Sequence, residues 1–192
     1  MTPRILVFSG STREGSFNKK LARVAADALR EVGAEVTYLD LRELSLPLYD
    51  GDLEAEVKLP EGARRLKDLM NASHGFLISS PEYNSSISGV LKNAIDWASR
   101  QNPPDKPLEC FTDKTAAIIS ASPGALGGLR GLMTLRSILT NIGTYVIPKQ
   151  LTVSKAHEAF DEQGKLKDAK QLAVIQGIAS TLFEFTRKLN PS

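Results

Sequence analysis

The sequence predicts an α/β chain, a parallel sheet held between two layers of helices. Two observations lead there. Short apolar runs that do not alternate, such as Arg4 to Phe8 (RILVF), read as strands covered on both faces. Such runs take turns with segments of helical periodicity, the pattern of strands joined by crossover helices. At 192 residues, 42% hydrophobic and 24% charged, the chain has the length and composition of one domain with a buried core.

The elements follow in order. After the first strand, Asn18 to Val32 has helical spacing, with Leu21, Val24, Ala25, Ala28 and Leu29 on one face. Gly33 stands where that helix should stop. Glu35 to Asp40 (EVTYLD) is the second strand. Leu41 to Pro60 is irregular, with two prolines and several acids, and reads as a long surface loop. Glu61 to Ala72 is helical with Ala63, Leu66, Leu69 and Met70 inward, and Gly75 to Ser80 (GFLISS) is the third strand. Ser88 to Ser99 is a helix, broken by Gln101 to Pro107 (QNPPDKP). Trp97 inside it reads as a core or subunit-interface residue. Thr115 to Ala121 (TAAIISA) is the fourth strand, Leu126 to Ile142 a helix, and Tyr145 to Ile147 a short fifth strand. The last helix runs from about Leu166 to Leu189, with Leu172, Ile175, Ala179, Leu182 and Phe183 on a common face.

Composition narrows the function. The net charge is +2 and the basic residues are scattered, so a basic nucleic-acid-binding face is not expected. The one cysteine, Cys110, cannot form an internal disulfide and reads as a structural thiol beside a strand. The N-terminus lacks a secretory pattern, and no apolar stretch approaches the roughly 18 residues of a membrane span. A soluble cytoplasmic protein is the expectation.

Parallel sheets of this kind bind ligands outside the carboxyl ends of their strands. Three loops there have unusual composition. The first, SGSTREGSFN, leads into a helix whose N-terminal N–H groups and dipole attract an anion. Ser11, Thr12 and Ser16 add hydroxyls and Arg13 a charge. So many donors suit a terminal phosphate monoester better than a bridging pyrophosphate; the alternative is that Ser16 caps the helix and Arg13 is solvated. The loop fits neither GxGxxG nor GxxxxGK[ST].

The second loop begins SSPEYN. Pro81 turns the chain off its strand, Asn84 tolerates unusual backbone angles, and Tyr83 either flanks a planar ligand or packs on the next helix. The third, SASPGALGGLRG, holds four glycines that let backbone approach a flat ligand, or simply form a flexible turn. His74 and His157 lie in no metal-ligand spacing and read as surface or edge residues. No GxSxG elbow is present. With no acid, base, nucleophile or metal ligand singled out, a bound cofactor is expected to carry the chemistry.

GSTREGSFN is similar to the GSxRxxSxN phosphate loop, and SPEYN to the PEYN flavin loop, of the NADPH-dependent FMN reductase family, whose members include chromate, quinone and azo-dye reductases. The resemblance extends roughly from Arg4 to Leu189. It implies a flavodoxin-like three-layer sandwich with a five-stranded parallel sheet of order 2-1-3-4-5. It places Ser11, Arg13, Ser16, Phe17 and Asn18 at the FMN phosphate. Pro81, Glu82, Tyr83 and Asn84 fall beside the ribityl chain and ring, and Ser122 to Gly128, with Ser122, Gly124 and Gly127, at a third flavin-facing loop. It also implies NADPH or NADH as donor, a small-molecule acceptor, and a homodimer or homotetramer. Arg100 and Arg130 stand as candidate partners for a nucleotide phosphate. The alternative is a flavodoxin-type one-electron carrier, although such carriers are typically acidic; a non-catalytic nucleotide-binding module ranks behind both.

Overall fold

Five parallel strands form the centre of the computed structural model, which describes residues 1–191. They are β1 (Arg4–Ser9), β2 (Glu35–Asp40), β3 (Gly75–Ser79), β6 (Thr115–Ala121) and β7 (Tyr145–Val153), in spatial order β2-β1-β3-β6-β7. Counted along the chain as sheet strands, this is 2-1-3-4-5, the flavodoxin-like order. Between β3 and β6 a small antiparallel hairpin, β4 (Glu82–Tyr83) with β5 (Ser86–Ile87), stands apart from the sheet.

The helices are α1 (Phe17–Glu31), α2 (Gly51–Val57), α3 (Glu61–Ala72), α4 (Gly89–Ala98), α5 (Leu129–Asn141), α6 (Ala156–Ala159) and α7 (Ala169–Leu189). Successive strand side chains point to opposite faces, so each strand feeds two cores. Ile5, Val7, Leu77, Ala117 and Ile119 pack with α1 and α7. Leu6, Phe8, Phe76, Ile78, Ala116 and Ile118 pack with α3, α4 and α5. Of the side chains expected inward, Val24, Leu69 and Phe183 are half-buried, and Leu172 lies 36% exposed.

Four sequence expectations about the elements need correction, the simplest being that α5 begins at Leu129 rather than Leu126, after Gly127 and Gly128 at positive φ. Leu41 to Pro60 is not one loop: Asp40 caps a 3₁₀ turn at Leu41–Leu44 and Asp50 caps α2, each carboxylate accepting a backbone N–H two residues on. Between them the Pro47 carbonyl accepts the Asn93 amide and the Trp97 indole N–H, strapping the segment onto α4 and burying Trp97 completely. The fifth strand runs on through Pro148 to Val153, with a register shift opposite Ala116/Ile118. An edge strand can hold a proline, and Arg136 donates to the Val146 and Ile147 carbonyls there. The last helix starts at Ala169, capped by Asp168, while Leu166 pairs with Phe160 in an isolated bridge.

Candidate functional site

The loops after β1, β3 and β6 converge on a pocket of about 350 Å³. Ser11, Arg13, Ser16, Phe17 and Asn18 line it from the first loop, Pro81, Glu82 and Tyr83 from the second, and Ala121, Ser122 and Pro123 from the third. All expected site residues except Asn84, Gly124 and Gly127 therefore face one cavity, with Ala121 and Pro123 added.

The N-terminus of α1 supplies the polar end. Ser16 caps it, its Oγ accepting the Lys19 N–H at 3.4 Å, as the capping alternative expected. Its own hydroxyl proton stays free to donate. The N–H groups of Phe17 and Asn18 have no acceptor within the helix, as first-turn donors never do. Arg13 is exposed, its guanidinium 5.5 Å from the Phe17 ring centroid. Ser9 Oγ, buried at the root of this loop, has no hydrogen-bond partner among the described residues. Convergent donors and a half-positive helix end make this a place for an anion.

Asn18 does something the sequence did not reveal. Its carboxamide donates to the Ala121 carbonyl at 2.8 Å and accepts the Ala121 N–H at 2.9 Å and the Ser79 hydroxyl at 3.0 Å. β3 has ended by then, and the Ser80 carbonyl that would meet the Ala121 N–H accepts the Ser120 hydroxyl at 2.6 Å instead. The side chain takes the place of the missing strand, pairing with β6 as a neighbouring peptide would. Its backbone N–H is what it can offer a ligand.

The second loop is a tight hairpin. Asn84 and Ser85 both have positive φ, 51° and 66°, the signature of a two-residue type I′ turn. Asn84 thus shapes the hairpin tip from outside the pocket. The Glu82 carboxylate is turned to α5, at 2.8 Å from the Arg130 guanidinium and accepting the Gly131 N–H at 3.1 Å. The acid is paired there, and Arg130 is already engaged. Tyr83 is 62% exposed rather than packed on the following helix.

In the third loop Gly127 and Gly128 have positive φ. A Cβ on Gly128 would fall 1.9 Å from Ser120 Oγ, and one on Gly127 2.9 Å from the Ser154 nitrogen. Packing explains both glycines. Gly124 has ordinary φ, and a Cβ there would make only an ordinary contact, 3.7 Å from Ser122 Oγ, which also accepts the Gly124 N–H.

Outside the pocket, Cys110 is buried and inert: burial pushes its thiol up to about 11. His157 is exposed beside Glu158. His74 corrects the expectation of a surface or edge residue. It is 8% exposed and its Nδ1 accepts the Arg4 N–H at 3.0 Å. Burial, then the charges of Arg4 and Lys114, hold it below its ordinary value of 6.5. It precedes β3, at the end of the sheet opposite the pocket. Among the described residues no group of three or more His, Cys, Asp or Glu is placed to hold a metal, and no helix is long and apolar enough to cross a membrane.

Reasoning from sequence missed two further residues that shape the site. Ser88 donates from its Oγ to the Gly10 carbonyl at 2.5 Å while capping α4, tying the second loop to the first. Lys19, 3% exposed, bonds the Thr12 carbonyl at 3.3 Å and Asp40 at 2.6 Å. Burial alone would raise Asp40, but the Lys19 hydrogen bond, the Arg42 N–H and the Lys19 charge hold it below the usual carboxylate range. A hydrophobic-periodicity reading gives no sign that a lysine inside α1 points inward.

Known proteins carry the same architecture. The chain is 37% identical over 187 residues to an NAD(P)H-dependent FMN reductase of Pseudomonas aeruginosa, covering 97% of this chain and 96% of the relative. It is 38% identical over 191 residues to a quinone reductase of Escherichia coli K12, again covering 97% and 96%. Among solved structures, the flavoenzyme NAD(P)H:(acceptor) oxidoreductase of Paracoccus denitrificans superimposes with a TM-score of 0.82 at 31% identity, over 97% of this chain and 98% of that one. A family model described as NADPH-dependent FMN reductase matches residues 3–158. The chain belongs to the NADPH-dependent FMN reductase family.

Proposed function

We propose that the protein is an FMN-dependent NAD(P)H oxidoreductase that passes a hydride from NAD(P)H, through FMN held in this pocket, to a small acceptor such as a quinone, an azo compound, a metal oxyanion or free flavin. The observation that carries this reading is the pocket itself. It joins an anion-binding helix terminus to a cavity within the range of cofactor sites, on a chain of this family.

The residues fit the group. Arg13, the hydroxyls of Ser11 and Ser16, and the N–H groups of Phe17 and Asn18 would hold its phosphate, with no carboxylate left free to repel it. Pro81 to Tyr83 and Ala121 to Pro123 would flank the remainder. When bound, FMN supplies the hydride-accepting chemistry, so no side-chain acid or base is required. What the chain contributes is position. Ser88 and Asn18 fasten the three loops to one another, and the exposed Tyr83 leaves one side open for donor and acceptor to enter in turn.

The family likeness supports one flavodoxin-like unit over the whole chain, working in the cytoplasm. The family resemblance is the ground for a homodimer or homotetramer, an assembly that would cover exposed apolar side chains such as Leu48, Val90 and Met133. The test is an absorbance spectrum of the purified protein without oxygen. Flavin bands that bleach on adding NADPH and return on adding a quinone are expected. Bands that bleach only with dithionite would point to a carrier, and no bands after adding FMN would remove the reading.

A further inference from the structure

The phosphate loop is gripped from outside the pocket by a buried cation. Lys19 lies two residues beyond the start of α1 and is 3% exposed, yet it is absent from the cavity wall. Its ammonium instead turns behind the loop, donating to the Thr12 carbonyl at 3.3 Å and to Asp40 Oδ2 at 2.6 Å. Asp40 is the last residue of β2, and its other oxygen accepts the Arg42 N–H at 3.0 Å. Arg42 in turn reaches Glu14 in the same loop at 2.9 Å, through an exposed pair worth little by itself. The loop from Gly10 to Ser16 is therefore held at Gly10 by Ser88 and at Thr12 by Lys19.

A buried lysine gives up hydration and side-chain freedom, so two directed bonds to it fix geometry more firmly than surface contacts do. Thr12 sits between Ser11 and Arg13, both of which face the cavity. A shift of its carbonyl moves both neighbours.

We propose that Lys19, through its contact with Asp40, is the positioning residue that sets the phosphate loop and thereby determines selection of a phosphorylated flavin, FMN, over riboflavin. This rests on the flavin reading above. The lysine does not touch the ligand. It holds the peptide that carries the donors.

The experiment compares dissociation constants for FMN and riboflavin by flavin fluorescence quenching, in the wild-type apoprotein and in Lys19→Met, which keeps the apolar stem. The wild type binds FMN more tightly than riboflavin. In Lys19→Met, FMN affinity falls about tenfold while riboflavin affinity stays within about twofold, since the loop loses its bond to the buried ammonium and Asp40 loses its partner, while no other group lining the pocket loses one. Asp40→Asn reads the same contact from its other end, with a drop of about threefold for FMN only, and serves if Lys19→Met does not fold. An equal fall for both flavins would make Lys19 a general support of the fold and overturn the proposal. Unchanged FMN affinity in both variants would also overturn it, with the flavin reading intact. A wild type that binds both flavins equally would overturn the phosphate loop and the positioning role together.

Discussion

Replacing Asn18 by alanine tests the construction of the site. Asn18 is 3% exposed and its carboxamide makes three hydrogen bonds, to the Ala121 N–H, the Ala121 carbonyl and the Ser79 hydroxyl. Alanine leaves all three groups buried without this partner. A buried orphan costs about 1–3 kcal/mol; the hydroxyl can rotate toward another acceptor, so the three together amount to about 3–5 kcal/mol. Alanine's better helix propensity returns only about 0.5 kcal/mol. Against a typical total stability of about 5–15 kcal/mol this is a large fraction. The assay is urea unfolding of the apoprotein at 25 °C, so that cofactor binding does not mask the loss. With a slope of about 2 kcal/mol/M, the midpoint falls by about 2 M at unchanged slope. A loss below about 1 kcal/mol would refute the reasoning, because the carboxamide would then be replaceable and not the fastening between α1, β3 and β6.

Three other outcomes follow from the structure. Gly128→Ala, at φ +93° with its Cβ driven into Ser120 Oγ, loses about 2–4 kcal/mol in the same assay, whereas Gly124→Ala stays within about 0.5 kcal/mol. His74 has its folded pKa depressed, so as pH falls through 6.5 the unfolded chain takes up a proton that the folded chain resists, and stability declines. Midpoints at pH 7.5 and 5.5 show this drop in the wild type and a smaller one in His74→Asn, whose Oδ1 can accept the Arg4 N–H. Cys110, buried with a thiol near 11, reacts with an aromatic disulfide reagent at pH 8 only on unfolding, since about one thiol in a thousand is ionised in the native state.

The sequence made the frame legible because each central strand is a continuous apolar run and each large helix has a single inward stripe. The pocket was legible because loops of distinctive composition follow β1, β3 and β6. Other features rest on interactions that leave no periodic trace. The hairpin at Glu82 to Ile87 has strands of two residues each, too short to alternate, and shows itself only in the positive φ of Asn84 and Ser85. Residues 145–153 alternate poorly because an edge strand with Pro148 and a register shift meets solvent on one side. The inward turn of Lys19 and the strand-like pairing of Asn18 depend on partners 21 and 103 residues away, which local pattern cannot supply.

The third loop also bears on how such a protein could diversify. Ser122 is tied at both ends of its peptide, to the Val153 carbonyl and the Ala156 N–H. Gly127 and Gly128 admit no side chain. Between these fixed points Pro123, which lines the pocket, and the next three residues Gly124, Ala125 and Leu126 are all exposed. Substitutions at these four positions leave the sheet undisturbed, so sequence can vary beside the pocket at little structural penalty. The fastened positions on either side hold the rest of the loop constant while that variation proceeds.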